Sequence, residues 1–189
     1  MLKSKIVLLA LFGASMLTFS SHAQTVTNPP PTVLETLESA ADQLTIKATA
    51  PMGSITCPAA VINVVCKEDT VVSSGHKEHG VYVGIVTSNG QVDDRTVIDF
   101  DELNGLLDAL DYMNNVSWSI TSLSSFDVNF TTRAGFRVSL FSSKRSGQIE
   151  FAVRSSRMNR GIVLTPDQRA QLRSLLDQAR TKINALRNQ

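Results

Sequence analysis

Three groups of side chains in this 189-residue chain have types and spacings on which chemistry could rest. The first is Gly75-His76-Lys77-Glu78-His79-Gly80, where His76 and His79, with Glu78 or with Glu68 and Asp69 folded back, would offer imidazole and carboxylate ligands to a metal ion. A metal-dependent hydrolase built on that turn is the enzymatic reading. The bland alternative is a solvated polar loop between two glycines, since the run has no defined metal-site spacing. The second group is the carboxylates Asp93, Asp94, Asp99, Asp101 and Glu102, whose types suit acid–base hydrolysis. Helix capping by Asp99 and Glu102, and first-turn dipole pairing by Asp101, account for the last three without catalysis. No G-x-S-x-G, H-E-x-x-H or glycine-rich phosphate loop is present. A serine or cysteine nucleophile would therefore have to borrow its base from the one histidine turn. The balance favours a non-enzymatic protein with no cofactor.

The third group is cationic. From Gln24 to Asn115 there are 4 basic residues against 13 acidic ones, and from Val116 to Gln189 there are 12 against 4, so a near-neutral total hides a formal −9 and +8. Ten of the 12 C-terminal cations are arginine, whose rigid fork suits carboxylate or phosphate. Arg137 and Arg154 fall on polar strand positions, with Arg133, Lys144, Arg145, Arg157 and Arg160 on nearby turns, and together they outline an anion-binding surface. The competing reading is that the acidic half neutralises the basic half, within one chain or between copies. Nucleic acid is not expected as the partner: Phe141 is the only aromatic residue at an outward strand position, where single-strand binding needs several stacking platforms.

Cys57 and Cys66 would close a ten-residue loop, worth roughly 2.5–3 kcal/mol in the chain-entropy model, and paired thiols in an exported chain are usually joined. A disulfide is therefore expected if the intervening loop is wide. A tight hairpin at Pro58-Ala59-Ala60 would instead hold the two cysteines about 16 Å apart along the strands, at roughly 3.3 Å per residue. Buried free thiols would then replace the bridge.

The elements that must position these groups follow from periodicity. Thr32-Val33-Leu34-Glu35 is a capping box opening a short helix with apolar residues at Val33, Leu34, Leu37, Ala41 and Leu44. Period-two alternation then marks strands at Leu44–Ala48, Ile55–Cys57, Val61–Cys66, Val81–Val86 and Thr96–Ile98, with turn chemistry at Pro51-Met52-Gly53, Ser73-Ser74-Gly75 and Ser88-Asn89-Gly90. Asp99 opens a helix with the stripe Leu103, Leu106, Leu107, Leu110 and Met113. Alternation returns at Trp118–Thr121, where Trp118 reads as a core or sheet-edge anchor, and continues through the runs around Phe126–Phe130, Phe136–Leu140, Ile149–Val153 and Gly161–Leu164. Thr165-Pro166-Asp167-Gln168 opens the last helix, whose stripe is Leu172, Leu175, Leu176, Ala179, Ile183 and Leu186. The expected class is α+β: antiparallel sheets of about eight to ten strands in two blocks, each followed by an amphipathic helix. Leu103-x-x-Leu106-Leu107-Asp108 matches Leu172-x-x-Leu175-Leu176-Asp177, which suggests an internal repeat.

Residues 1–23 read as a secretory signal peptide: Lys3 and Lys5, an apolar run from Ile6, and Ser21-His22-Ala23 before the cut. The mature protein is then expected to be periplasmic or secreted, with a disordered leader at 24–31, a single domain at 32–189 split into an acidic half to 115 and a basic half from 116, and no transmembrane segment. Val97-Ile98-Asp99-Phe100-Asp101-Glu102-Leu103, Leu110-Asp111-Tyr112, the Phe126 strand and the Leu164-Thr165 helix start resemble an uncharacterised group of exported bacterial proteins of unknown function. That resemblance brings no catalytic or binding residues with it. The order of four strands and a helix, twice over, is also similar in topology to the whirly class of single-strand nucleic-acid binders, a likeness of element order alone. The expected role is an exported binding or interaction protein whose basic half contacts an acidic macromolecule, an envelope protein, its own acidic half or a second copy.

Overall fold

The computed structural model describes residues 31–87, 93–142 and 147–188. The expected signal peptide and nearly all of the leader, the Ser88-Asn89-Gly90 turn, and Lys144 and Arg145 lie outside the described residues. The fold is α+β. Its first sheet is an antiparallel meander of β1 (Thr45–Thr56), β2 (Ala60–Val71), β3 (Lys77–Thr87) and β4 (Asp93–Asp99). Its second is a meander of β5 (Asp127–Thr131), β6 (Arg137–Ser142), β7 (Ile149–Arg154) and β8 (Ile162–Leu164). A helix follows each sheet: α2 (Leu103–Asn114) after the first and α3 (Pro166–Arg187) after the second, with a short α1 (Val33–Ser39) ahead of both.

Alternation puts Ile62, Val64 and Cys66 of β2 and Val81, Val83 and Ile85 of β3 on the inner face of the first sheet. Val138 and Leu140 of β6 and Phe151 and Val153 of β7 do the same for the second. The helix stripes fill the space between, with Leu103, Leu106, Leu107, Leu110 and Met113 of α2 and Leu172, Leu175, Leu176, Ala179 and Ile183 of α3 all buried. Leu186 departs from its expected place and is 37% exposed in the last turn of α3.

The helices are exchanged between the halves. α3 lies against β1, β2 and β3 of the first sheet as well as β8, and α2 lies against α3 and β5. Gln168 Nε2 donates to the Thr56 carbonyl at 2.9 Å and Gln171 Nε2 to that of Ser54 at 3.1 Å, so α3 also satisfies carbonyls along the edge strand β1. Arg173 binds Asp111 through Nε and NH2 at 2.8 and 2.9 Å, while Arg180 NH1 donates to Asn104 Oδ1 at 3.0 Å. These contacts set α2 and α3 antiparallel.

Several local expectations are corrected. Pro51-Met52-Gly53 is a bulge within a continuous β1, where Pro51 pairs with Val65 and Gly53 with Val64; a bulge on an edge strand accommodates proline without breaking a ladder. α1 ends at Ser39, short of Ala41 and Leu44, which are exposed; Asp42 turns the chain into β1 at a left-handed φ of 58°. The expected strand at Trp118 is a 3₁₀ turn (Trp118–Ile120), and Trp118 is 44% exposed, edge-on to Phe126 with ring centroids 5.6 Å apart. It packs on Phe126 beside the start of β5 and lies in no strand.

Candidate functional site

β5, β6 and β7 turn their polar positions to the face away from the core. Across that face the register aligns Thr131, Arg137 and Arg154 at one end, Asn129, Ser139 and Ala152 in the middle, and Asp127, Phe141 and Glu150 at the other. Small side chains in the middle row, together with Gly161, leave a groove of 260 Å³ with the arginines at its cationic end. Arg137 and Arg154 stand directly opposite each other. Arg137 Nε donates to Thr131 Oγ1 at 2.9 Å, and Ser139 Oγ donates to Asn129 Oδ1 at 2.6 Å. Among the described residues no carboxylate lies within ion-pair distance of Arg137, Arg154 or Arg160.

The other two proposed anion-binding arginines belong to the acidic half instead. Arg133, on the turn before β6, bonds Asp99 at 3.0 Å and also binds Asp101, while its own backbone N–H donates to Glu102 Oε1 at 2.7 Å. The bond to Asp101 raises the Arg133 pKa above the ordinary arginine value, against the opposing effect of desolvation. Arg157 approaches Asp94 at 3.9 Å, and Ser155 Oγ donates to the same carboxylate. The five-arginine surface is thereby reduced to Arg137 and Arg154, with Arg160 exposed beside the groove wall at Gly161.

The carboxylate group is structural in its contacts. Asp99 is 4% exposed, and its two oxygens accept the Val33 and Leu34 N–H groups of α1 at 2.8 and 3.3 Å in addition to Arg133. It therefore caps α1 in addition to opening the helix it precedes. Glu102 returns to the Asp99 N–H at 3.3 Å, as the capping box predicts, though the first turn it opens, Phe100–Glu102, is 3₁₀. The side chain of Asp93 lies outside the description.

His76 and His79 do not converge on a shared ligand. His76 Nε2 meets Glu78 at 2.9 Å on the surface, whereas His79, 8% exposed, meets Glu68 at 2.9 Å. Among the described residues no group of three or more histidine, cysteine or carboxylate side chains could hold a metal ion. Cys57 and Cys66 are buried free thiols, which corrects the expected disulfide. The Cys57 N–H donates to the Ala60 carbonyl at 2.8 Å, closing the tight hairpin, while Cys66 lies further up β2 opposite Ala50. Six residues of extended strand separate it from Ala60, roughly 20 Å at about 3.3 Å each. Burial pushes the Cys66 thiol up to about 11, so neither nucleophilic nor redox chemistry is favoured there.

Two features escaped sequence reasoning. Lys67 is buried against Asp69 at 3.0 Å and against Glu38 under α1; the signal was a Lys-x-Asp alternation inside an apolar strand. Arg169 stands on the α3 leucine stripe, three residues before Leu172, and so points where an apolar side chain was due. No protein-family model, curated protein or solved structure matches this chain.

Proposed function

We propose that this is an exported, non-enzymatic binding protein, which holds an acidic group of a partner macromolecule in the outward groove of the second sheet, between Arg137 and Arg154. The observation that carries this reading is the facing pair itself. Like charges directly opposite on neighbouring strands destabilise a sheet, and a bound anion relieves the repulsion while using the guanidinium forks for bidentate contacts. Asn129 and Ser139 add neutral hydrogen-bonding groups along the floor, and Asp127 at the far end sets a direction for the ligand. The remaining C-terminal arginines named above that engage Asp94, Asp99, Asp101 and Asp111 hold the halves together. We also infer that the two β4α units form an internal repeat, supported by their shared meander order and by the matching Leu-x-x-Leu-Leu-Asp strings on α2 and α3.

Heparin serves as a probe for the anionic class. Arg137→Ser with Arg154→Ser is expected to weaken heparin affinity at least tenfold, and Arg157→Ser to leave it within twofold, at an ionic strength of about 0.1 M. Unchanged affinity in the double variant would remove the site.

A further inference from the structure

β5 is an edge of the second sheet, and its free side lacks the protections that the other edges carry. β1 is bulged between Pro51 and Gly53 and gives the Thr56 and Ser54 carbonyls to glutamines of α3. β8 has only three residues, and β4 carries Asp94 and Arg95. Bulges, cover, shortness and charge are the usual means of keeping an edge from pairing. β5 has no proline, and its register with β6 is unbroken. The main-chain bonds between the two alternate: the Ser142 N–H donates to the Phe126 carbonyl at 3.0 Å and the Thr132 N–H to that of Phe136 at 2.9 Å. Even-numbered residues on this strand therefore bond to β6, and Asp127, Asn129 and Thr131 turn their N–H and C=O groups to the free side. β5 has no other strand partner.

The same three residues are exposed on the outward face, where charge is arranged with a direction. Asp127 stands at one end of β5, and Thr131, in line with Arg137 and Arg154, stands at the other. The bond from Arg137 Nε to Thr131 Oγ1 draws that guanidinium over β5, toward the free edge. An apolar surface adjoins the strand as well. Trp118 lies against Phe126, the residue before β5, and Ile120 and Leu123 are exposed in the same connection.

We propose that β5 pairs antiparallel with β5 of a second copy of this chain, about a two-fold axis at Asn129, joining their four-stranded second sheets into one. Asn129 then faces Asn129 of the second copy, and Asp127 faces its Thr131. Each pair exchanges both main-chain bonds, because all three residues present theirs to that side. The side chains match on both faces. Val128 lies opposite Phe130 of the second copy on the inner face, an apolar cross-strand pair. On the outer face the row of Arg154, Arg137 and Thr131 continues into Asp127 of the second copy, one strand beyond Thr131 and on the side to which Arg137 leans. Two-fold symmetry makes this match twice, so each copy supplies a carboxylate to the cationic end of the other. The outward groove stays open, since pairing uses the edge and not the face. The proposal stands on main-chain geometry and does not rest on the groove holding a separate anion.

Sedimentation equilibrium of the chain from Gln24 to Gln189 tests this. At about 100 µM the wild type is expected to sediment at twice the mass of one chain and to dissociate on dilution. Asn129→Pro removes the donors at the two-fold axis, and that N–H bonds nothing in β6, so the dissociation constant should rise at least tenfold while a cooperative thermal transition is retained. Asp127→Lys, an exposed substitution that leaves the backbone alone, should also raise it at least tenfold by setting a cation beside Arg137 of the second copy. The wild-type constant should rise with salt. A wild-type chain that stays monomeric at that concentration, or a dimer that Asp127→Lys or a folded Asn129→Pro leaves unweakened, would overturn the proposal. Heparin reads the groove separately: a monomer that binds heparin would sink the strand pairing alone, and a dimer that ignores heparin would sink the groove alone.

Discussion

Glu68 is the residue where a solution measurement reads the local electrostatics most directly. Its carboxylate meets His79 Nε2 at 2.9 Å and Lys77 Nζ at 3.2 Å. Partial burial pushes the carboxyl up, but the bonds from Lys77 and His79 together outweigh it and hold the group below its ordinary value of 4.5. A carboxyl depressed in the folded state binds fewer protons than in the unfolded chain, so its stabilising contribution is complete above the ordinary value and is lost as pH falls through the folded one. The melting temperature of the wild type should therefore exceed that of Glu68→Gln at neutral pH, and the gap should close below about pH 4. A gap that persists in acid would show that the substitution loses packing and not charge. The same pair also explains why the histidine turn was misleading in the sequence. His-x-x-His with nearby carboxylates is the composition of a metal site, but alternation puts His76 beside Glu78 and turns His79 away from both, to Glu68 on the neighbouring strand, a partner that only register reveals.

α1 shows how much of an element depends on residues far away in the chain. Its capping box was readable from Thr32 and Glu35, yet a seven-residue helix has little stability of its own. It is held by Leu34, fully buried on the outer side of the first sheet, by Asp99 at its first turn and by Lys67 reaching Glu38. Gly80 makes room for it: a Cβ there would lie 2.4 Å from the Ile98 carbonyl oxygen and 2.5 Å from Leu34 Cδ1. Gly84 is on the same strand and the same face, and its Cβ would meet only ordinary contacts at 3.9 Å and beyond. Gly80→Ala should thus cost about 1–3 kcal/mol by overpacking, while Gly84→Ala should be neutral or slightly stabilising. Denaturant midpoints of the two variants check the contrast, and equal midpoints would mean that Gly80 is not closely packed beneath Ile98 and Leu34. What periodicity and caps made legible were elements with a strong repeat, such as α2, α3 and most strands. Trp118 and Pro51 misled because local propensity was overridden, by a 3₁₀ turn in one case and by a bulge in the other. Arg169 was missed because a charged residue one turn ahead of Leu172 does not register in a pattern of apolar spacing.

At the scale of the molecule, the charge split and the helix exchange act together. Sequence alone located an acidic half and a basic half without saying where they meet; the contacts are Arg133 with Asp99 and Asp101, Arg157 with Asp94, and Arg173 with Asp111. The Asp111 carboxyl is held below its ordinary value by Arg173. Because α3 covers β1, β2 and β3, the first sheet obtains its apolar cover from the second half of the chain, and β5 obtains part of its own from α2. Leu175 approaches the backbone at Gly53, and the Cys66 thiol donates to the Ala179 carbonyl at 3.6 Å, so this contact is intimate and not a loose docking of two finished domains. A fragment ending at Asn115 would expose the inner face of the first sheet, and one beginning at Val116 would expose the leucine stripe of α3. Neither fragment should show a cooperative thermal transition alone. Mixed in equal amounts they should recover the far-ultraviolet spectrum of the intact chain as a one-to-one complex, held mainly by apolar burial. Their affinity should fall, without vanishing, as salt rises from about 50 to about 500 mM, because exposed cross-half ion pairs are screened while the buried leucines are not. A cooperative melt of the first fragment by itself would sink this account, since it would show that the first sheet closes its core without α3.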